Sequence, residues 1–252
     1  MAGEKPTGRP ESLTDRETHY CAGCGHGIAH KLIAEAVDRL DIRERTIGIA
    51  PVGCAVLAYF YFNFDVTEAA HGRTPAVATG IKRALPDRIV FSYQGDGDLA
   101  AIGMAETIHA ANRGENISVI FINNTVYGMT GGQLAPTTLL GQNTVTTPGG
   151  RDAETTGLPI RMCELLNTLD RPVYIARTAL DGADGVRATR RAIMTALRAQ
   201  VNGEGYSFVE ILSPCPTYMR LSPADALRFV ANDMTSYFPV GEFRREGRIT
   251  HA

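Results

Sequence analysis

The chain is 252 residues long, 44% hydrophobic, and has a formal net charge of −2. That suffices to bury a full globular core, and the near-neutral balance gives no electrostatic reason to bind nucleic acid or a membrane surface. No apolar run reaches the ~18 residues of a membrane span, and there is no internal repeat or low-complexity tract.

In chain order, residues 1–16 read as a polar N-terminal arm, 17–241 as one α/β domain and 242–252 as a polar tail. After Cys21-Ala22-Gly23-Cys24, residues 26–40 place Ile28, Leu32, Ile33, Ala36, Val37 and Leu40 at helical spacing. Thr46 to Val52 reads as a buried strand that ends at Gly53-Cys54. His71-Gly72-Arg73 then leads into Thr74-Pro75, an N-cap with proline at the first helical position. Arg88 to Tyr93 is a strand rich in β-branched and aromatic residues, closed by Gln94-Gly95-Asp96-Gly97-Asp98. The small apolar residues from Leu99 to Ala111 continue as a helix, and a strand over Ile117 to Ile122 delivers Asn123-Asn124.

Residues 134 to 158 have little periodicity; such a segment is a surface loop, shapes a substrate pocket, or contacts a partner. Pro172 to Ala176 and Tyr206 to Leu212 read as strands, with an amphipathic helix over Asp184 to Val201 between them. Ser213-Pro214-Cys215-Pro216 fixes Cys215 just past the last of these strands, since proline cannot extend the ladder. Ser222-Pro223 caps a final helix. Strand and helix in alternation predict an α/β fold: a mostly parallel sheet with helices on both faces. Every glycine and cysteine motif then falls at a strand carboxyl end, where such sheets bind ligands.

Gly95-Asp96-Gly97, followed about 25 residues later by Asn123-Asn124, carries the first chemistry. Glycines let backbone approach a phosphate, and a new helix offers it free N–H groups. The carboxylate of Asp96 and the amide oxygen of Asn124, at adjacent strand ends, are hard ligands suited to Mg²⁺. A lone Gly-Asp-Gly is ordinarily a turn. The paired Asn-Asn and the second glycine-rich loop, Gly128 to Gly132, favour a diphosphate site, and the spacing resembles the thiamine-diphosphate fingerprint.

Five cysteines, an odd number with no signal peptide, argue for a reducing compartment and against a disulfide framework. In Cys21-x-x-Cys24-Gly25-His26 a glycine precedes the histidine, which speaks against haem attachment. The polar segment upstream speaks against a thioredoxin-like pair. With Cys54 and Cys215 the set suits a [4Fe–4S] cluster or structural zinc, and spacing alone does not choose. Cys163 sits at an apolar helical position and reads as a small hydrophobe.

Taken together, Cys21-x-x-Cys24-Gly-His, Pro51-Val52-Gly53-Cys54, His71-Gly72-Arg73, Gly95-Asp96-Gly97-Asp98, Asn123 to Gln133 and Ser213-Pro214-Cys215 resemble the β subunit of 2-oxoacid:ferredoxin oxidoreductases over roughly residues 15 to 220. The resemblance implies a thiamine-diphosphate-binding fold and a [4Fe–4S] cluster on Cys21, Cys24, Cys54 and Cys215. It also implies Mg²⁺ on Asp96, Asn124 and the Val126 carbonyl. Gly53, Cys54, Gly95, Gly97, Asp98 and Thr130 would lie at the cofactor. His71 is either a polar contact there or a hydrogen-bonded loop histidine, and His26 and His109 read as structural.

The implied reaction is CoA-dependent oxidative decarboxylation of a 2-oxoacid, with electrons passed singly to ferredoxin in the cytoplasm. The activating glutamate and much of the substrate pocket would come from an α subunit, so this chain would turn over only with its partner. A γ subunit and a ferredoxin-like δ subunit are usual companions. The competing expectations are a non-oxidative decarboxylase half of the sulfopyruvate decarboxylase type and a zinc-stabilised binding module. For the substrate, Arg73 and Arg151 would suit 2-oxoglutarate, and Leu134, Leu139 and Leu140 a branched-chain 2-oxoacid such as 2-oxoisovalerate. The balance is set slightly toward the former.

Overall fold

A computed structural model describes residues 8–250. Its strands are β1 Thr46–Ala50, β2 Asp65–Glu68, β3 Ile89–Gly95, β4 Ser118–Asn123, β5 Val126–Tyr127, β6 Gln133–Leu134, β7 Tyr174–Ala179, β8 Ser207–Leu212, β9 Gly241–Arg245 and β10 Arg248–Ile249. Eight of them form one sheet in the order β10-β9-β7-β8-β4-β3-β1-β2, while β5 and β6 make a small separate hairpin. From β7 across to β2 every pairing is parallel. Among the described residues no helix is long and apolar enough to cross a membrane.

Strands β4, β7 and β8 are buried at every position, as parallel strands covered on both faces must be. Along β4, Ile120 and Ile122 face the layer beneath helices His26–Arg39 and Ala183–Val201. Val119 and Phe121 face the opposite layer, with Ala78, Ala110, Ala111 and Met162. This period-two alternation places helices on both sides and leaves the strand ends free to carry loops.

The expected helix from Leu99 to Ala111 is interrupted. A π-helical turn, Gly97–Ile102, precedes the α-helix Met104–Arg113. At the break a Cβ on Gly103 would lie 2.6 Å from the Gly72 carbonyl oxygen, so the absence of a side chain is what lets the His71-Gly72 loop press against it. Such π turns recur where a helix has to aim groups at a site.

Both chain ends depart from the extended arms expected. Residues 1–7 and 251–252 lie outside the described residues, but Ser12 and Leu13 are strapped down. The Ser12 N–H donates to Asp38, and Leu13 bridges Phe62. The stretch read as a tail from residue 242 pairs with β7 as β9 and turns back as β10. Its polarity hid this. Arg244 is buried because its guanidinium donates to the carbonyls of Asn167 and Asp170, and Phe243 joins the core beside it.

Two charges lie inside apolar strands. Arg177 of β7 and Glu210 of β8 are fully buried and bonded at 2.9 Å; Arg177 also pairs with Glu164 and stacks on Phe238 and Phe243. Glu210 in turn accepts from Asn123 Nδ2 at 2.8 Å. Removing one partner of such a pair leaves the other charge buried without compensation, so Arg177→Met should destabilise the fold by about 3–5 kcal/mol. The urea midpoint reads this directly, and a loss below about 1 kcal/mol would show that Glu210 is compensated some other way.

Candidate functional site

Across the carboxyl edge of the sheet, four neighbouring strands end in the four motifs: β1 before Gly53-Cys54, β3 before Asp96, β4 before Asn124 and β8 before Cys215. A cavity of about 120 Å³ opens there, and all the residues singled out as cofactor contacts line it: Gly53, Cys54, His71, Gly95, Asp96, Gly97, Asp98, Asn124 and Thr130. A larger cavity of about 510 Å³ lies between helix Ala183–Val201 and β9 and contains none of these motifs.

Asp96 is buried, accepts the Gly97 N–H at 2.9 Å and the Thr137 hydroxyl at 3.1 Å, and burial raises its pKa to about 7. The amide head of Asn124 ends 3.1 Å from Asp96 Oδ2 and 2.8 Å from the Val126 carbonyl oxygen. With its nitrogen there, it donates to both. With its oxygen there, three oxygens face one another with no proton between them. Mg²⁺ holds oxygens at about 2.1 Å, which puts adjacent ligands about 3 Å apart, and both distances from the amide head match that spacing. The three donors therefore fit a small hard cation. Thr125, immediately after Asn124, takes a left-handed conformation with φ 64°, uncommon for a β-branched residue and held in place by its neighbours. Asn123 Oδ1 accepts the Thr125 N–H at 3.2 Å while its Nδ2 is tied to Glu210.

The carboxylate of Asp98, which lines the cavity, is engaged within the protein. It accepts from His71 Nδ1 at 2.6 Å, the Gly72 N–H at 2.8 Å, Gln94 Nε2 at 2.6 Å and Thr74 Oγ1 at 3.3 Å. Four donors fill its acceptor positions, so the side chain orients His71 rather than meeting a ligand. That leaves Nε2 as the free ring nitrogen of a cavity-lining residue.

A second cavity, about 40 Å³, adjoins the first and is lined by Cys21, Cys24, Cys54 and Cys215 together with His19, Tyr20 and His26. A Cβ added to Gly128 would lie 3.3 Å from Cys54 Sγ and 3.6 Å from Cys215 Sγ, so the β5 loop passes close against both sulfurs. Burial, reinforced by neighbouring charges including the other thiols, pushes Cys54 and Cys215 each to about 12, and burial raises Cys24. Among the described residues no three His, Cys, Asp or Glu side chains gather closely enough to hold a single metal ion. Cys163 is buried in the apolar layer beside Glu210 and Arg177, apart from this cavity.

His26, Cys54 and Asn124 line both cavities and form the wall between them. His26 was read as structural from the sequence. It is buried, pairs with Tyr93 Oη at 2.5 Å through Nδ1 and stacks on Tyr20, yet it also borders the site. His109 is exposed on the helix Met104–Arg113. The two arginines considered for a substrate carboxylate are otherwise engaged: Arg73 pairs with Glu106, and Arg151 is buried among backbone carbonyls.

Residues 52–211 match the family described as thiamine pyrophosphate enzyme, C-terminal TPP binding domain. The chain is 56% identical over 246 residues to ketoisovalerate oxidoreductase subunit VorA of Methanothermobacter thermautotrophicus, covering 94% of this chain and 52% of the relative. It is 39% identical over 216 residues to 2-oxoglutarate synthase subunit KorB of Archaeoglobus fulgidus, covering 84% and 74% respectively. It thus spans about half the length of the ketoisovalerate relatives. A solved 2-oxoglutarate:ferredoxin oxidoreductase from Magnetococcus marinus, with 2-oxoglutarate, coenzyme A and succinyl-CoA bound, superposes with a TM-score of 0.76. That match covers 98% of this chain and 87% of the other at 24% identity, a likeness of fold.

Proposed function

This chain belongs to the β subunits of the 2-oxoacid:ferredoxin oxidoreductases, within the thiamine pyrophosphate enzymes, and we propose that it binds thiamine diphosphate, Mg²⁺ and a [4Fe–4S] cluster for the CoA-dependent oxidation of a branched-chain 2-oxoacid. The observation that carries the oxidative reading is the shared wall: Cys54, Asn124 and His26 border both the cation-facing cavity and the cavity of four cysteines. With cofactor in one cavity and cluster in the other, these shared side chains would stand between electron donor and acceptor.

Asp96, Asn124 and the Val126 carbonyl would hold the Mg²⁺, and Cys21, Cys24, Cys54 and Cys215 the cluster. Thiamine diphosphate bound here would supply an electron sink for the pair released when a 2-oxoacid loses CO₂. The chain's own residues position and exclude. His71, oriented by Asp98, presents Nε2 to the cavity; Val52, Ala55 and Met129 give it apolar walls. No glutamate is among the residues lining the first cavity, which fits the resemblance's expectation that the glutamate activating the aminopyrimidine comes from the α subunit. The γ and ferredoxin-like δ subunits, with ferredoxin itself, complete the proposed assembly.

The substrate preference turns from 2-oxoglutarate to a branched-chain acid such as 2-oxoisovalerate. Arg151 is spent on backbone carbonyls, Arg73 does not line the cavity and pairs with Glu106, and the ketoisovalerate relatives share more identity than the 2-oxoglutarate ones. In the assembled complex with CoA and a viologen dye, kcat/KM for 2-oxoisovalerate should exceed that for 2-oxoglutarate at least about tenfold, ~1.4 kcal/mol in transition-state binding. The opposite order would sink the branched-chain assignment. Release of CO₂ without dye reduction would favour the non-oxidative alternative.

A further inference from the structure

We propose that Arg151 is the positioning residue that aims the metal-facing carboxylate, acting through the irregular segment 134–158 and the hydroxyl of Thr137. The proposal rests on the reading of Asp96, Asn124 and Val126 as Mg²⁺ ligands.

Arg151 is 6% exposed, and its guanidinium meets six backbone carbonyls. Nε donates to Gly157 at 2.9 Å; Nη1 to Ala135, Pro136 and Thr138 at 3.3, 3.0 and 2.6 Å; Nη2 to Thr156 and Leu158 at 3.1 and 3.0 Å. Its backbone closes the same loop, exchanging hydrogen bonds with Gly141 and Gln142. One residue thus fastens both limbs of a segment that has little regular structure of its own. The turn held by the Ala135, Pro136 and Thr138 carbonyls then grips the site twice. Thr137 Oγ1 donates to Asp96 Oδ2 at 3.1 Å, and Thr138 Oγ1 donates to the Thr125 carbonyl, next to Asn124. Gln142 Nε2 adds a bond to Thr125 Oγ1 at 2.8 Å, which helps to keep that residue in its left-handed conformation.

Only arginine suits this place. Its planar fork carries five N–H donors for the six carbonyls, Nη1 sharing its two among three of them, whereas lysine has three donors on one nitrogen and leaves more carbonyls unmatched with the charge retained. Partners that orient a ligand to a metal are typically worth 10–100-fold in affinity.

The test reads the Mg²⁺ concentration for half-maximal thiamine diphosphate binding, by fluorescence titration of the assembled complex, together with limited proteolysis within 134–158 before cofactor is added. Arg151→Lys and Thr137→Val should each raise the half-saturating Mg²⁺ about tenfold or more. The double variant should rise little beyond the larger single effect, because both act along one chain of contacts. Arg151→Lys should also open 134–158 to protease, and Thr137→Val should not. Multiplying effects in the double variant, or a wild-type Mg²⁺ requirement in Arg151→Lys, would overturn the inference. Should Arg151→Lys not assemble, Thr138→Ala decides by the same titration, an unchanged value overturning it. Asp96→Ala separates the two levels: Mg²⁺-dependent binding that survives it refutes the metal site itself. Loss of binding there, with Arg151→Lys unaffected, refutes only the role of Arg151.

Discussion

Asp96→Ala is expected to lower Mg²⁺-dependent thiamine diphosphate affinity by at least about 100-fold, ~3 kcal/mol, while leaving the iron content intact. The Asp96 carboxylate meets the Asn124 amide head at 3.1 Å at the ends of β3 and β4, and of the three proposed Mg²⁺ donors it alone would carry a charge to offset the cation's. Under the proposed ligand set its loss would remove the bridge to the diphosphate, whereas the cysteines sit on other segments. Equilibrium titration of cofactor at fixed Mg²⁺ reads the effect, and wild-type affinity in the variant would refute the Gly-Asp-Gly assignment.

The same residue gives a pH signature in cofactor-free protein. Burial raises the folded-state pKa of Asp96 to about 7, above the ordinary carboxyl value near 4. The folded state then holds its proton more tightly than the unfolded one. This contribution to stability is complete below about pH 4 and is lost as pH rises toward 7, the reverse of a salt-bridged aspartate. Asp96→Asn should flatten that slope in urea unfolding, and Mg²⁺ binding below pH 7 should release a proton. A slope unchanged in Asp96→Asn would assign the proton to another group.

The legible parts of the site were those where local chemistry marks a fixed place on a strand end. Gly-Asp-Gly, Asn-Asn and Ser-Pro-Cys-Pro each pair a backbone requirement with a ligand type, and each stands at the carboxyl edge where alternating strands and helices put it. The contacts that aim those ligands were not legible, because they join distant positions through segments without periodicity. Thr137 reaches Asp96 across 41 residues and Asn123 reaches Glu210 across 87. A signal existed for the second: a glutamate inside Ser-Phe-Val-Glu-Ile-Leu, and an arginine inside Tyr-Ile-Ala-Arg-Thr-Ala, are charges in strands otherwise fit only for burial. Arg151 shows the opposite error. A loop arginine invites a carboxylate ligand, yet backbone carbonyls fill its donors. The π turn before Gly103 was not legible, since nothing local in Gly97 to Ile102 marks it and the close approach of Gly72 beside it is a tertiary contact.

Replacing Cys21, Cys24, Cys54 or Cys215 by alanine should each strip most of the iron and the visible absorption from anaerobically purified complex, whereas Cys163→Ala should keep both. The first four line one cavity, and a thiolate lost from a four-cysteine set leaves one iron without its protein ligand. Cys163 lies in the opposite apolar layer with burial raising its pKa well above the ordinary thiol value, so it remains a protonated, packed side chain. Metal analysis separates the two candidates, since tetrahedral zinc would draw the four sulfurs to about 2.3 Å from one point and hold no iron. Cys54 is the most informative of the four, since it borders both cavities. Cys54→Ala should therefore lose iron and also slow dye reduction by any iron that remains, with thiamine diphosphate still bound. A colourless preparation holding one equivalent of zinc would overturn the cluster, and iron lost in Cys163→Ala but kept in Cys54→Ala would overturn this ligand set.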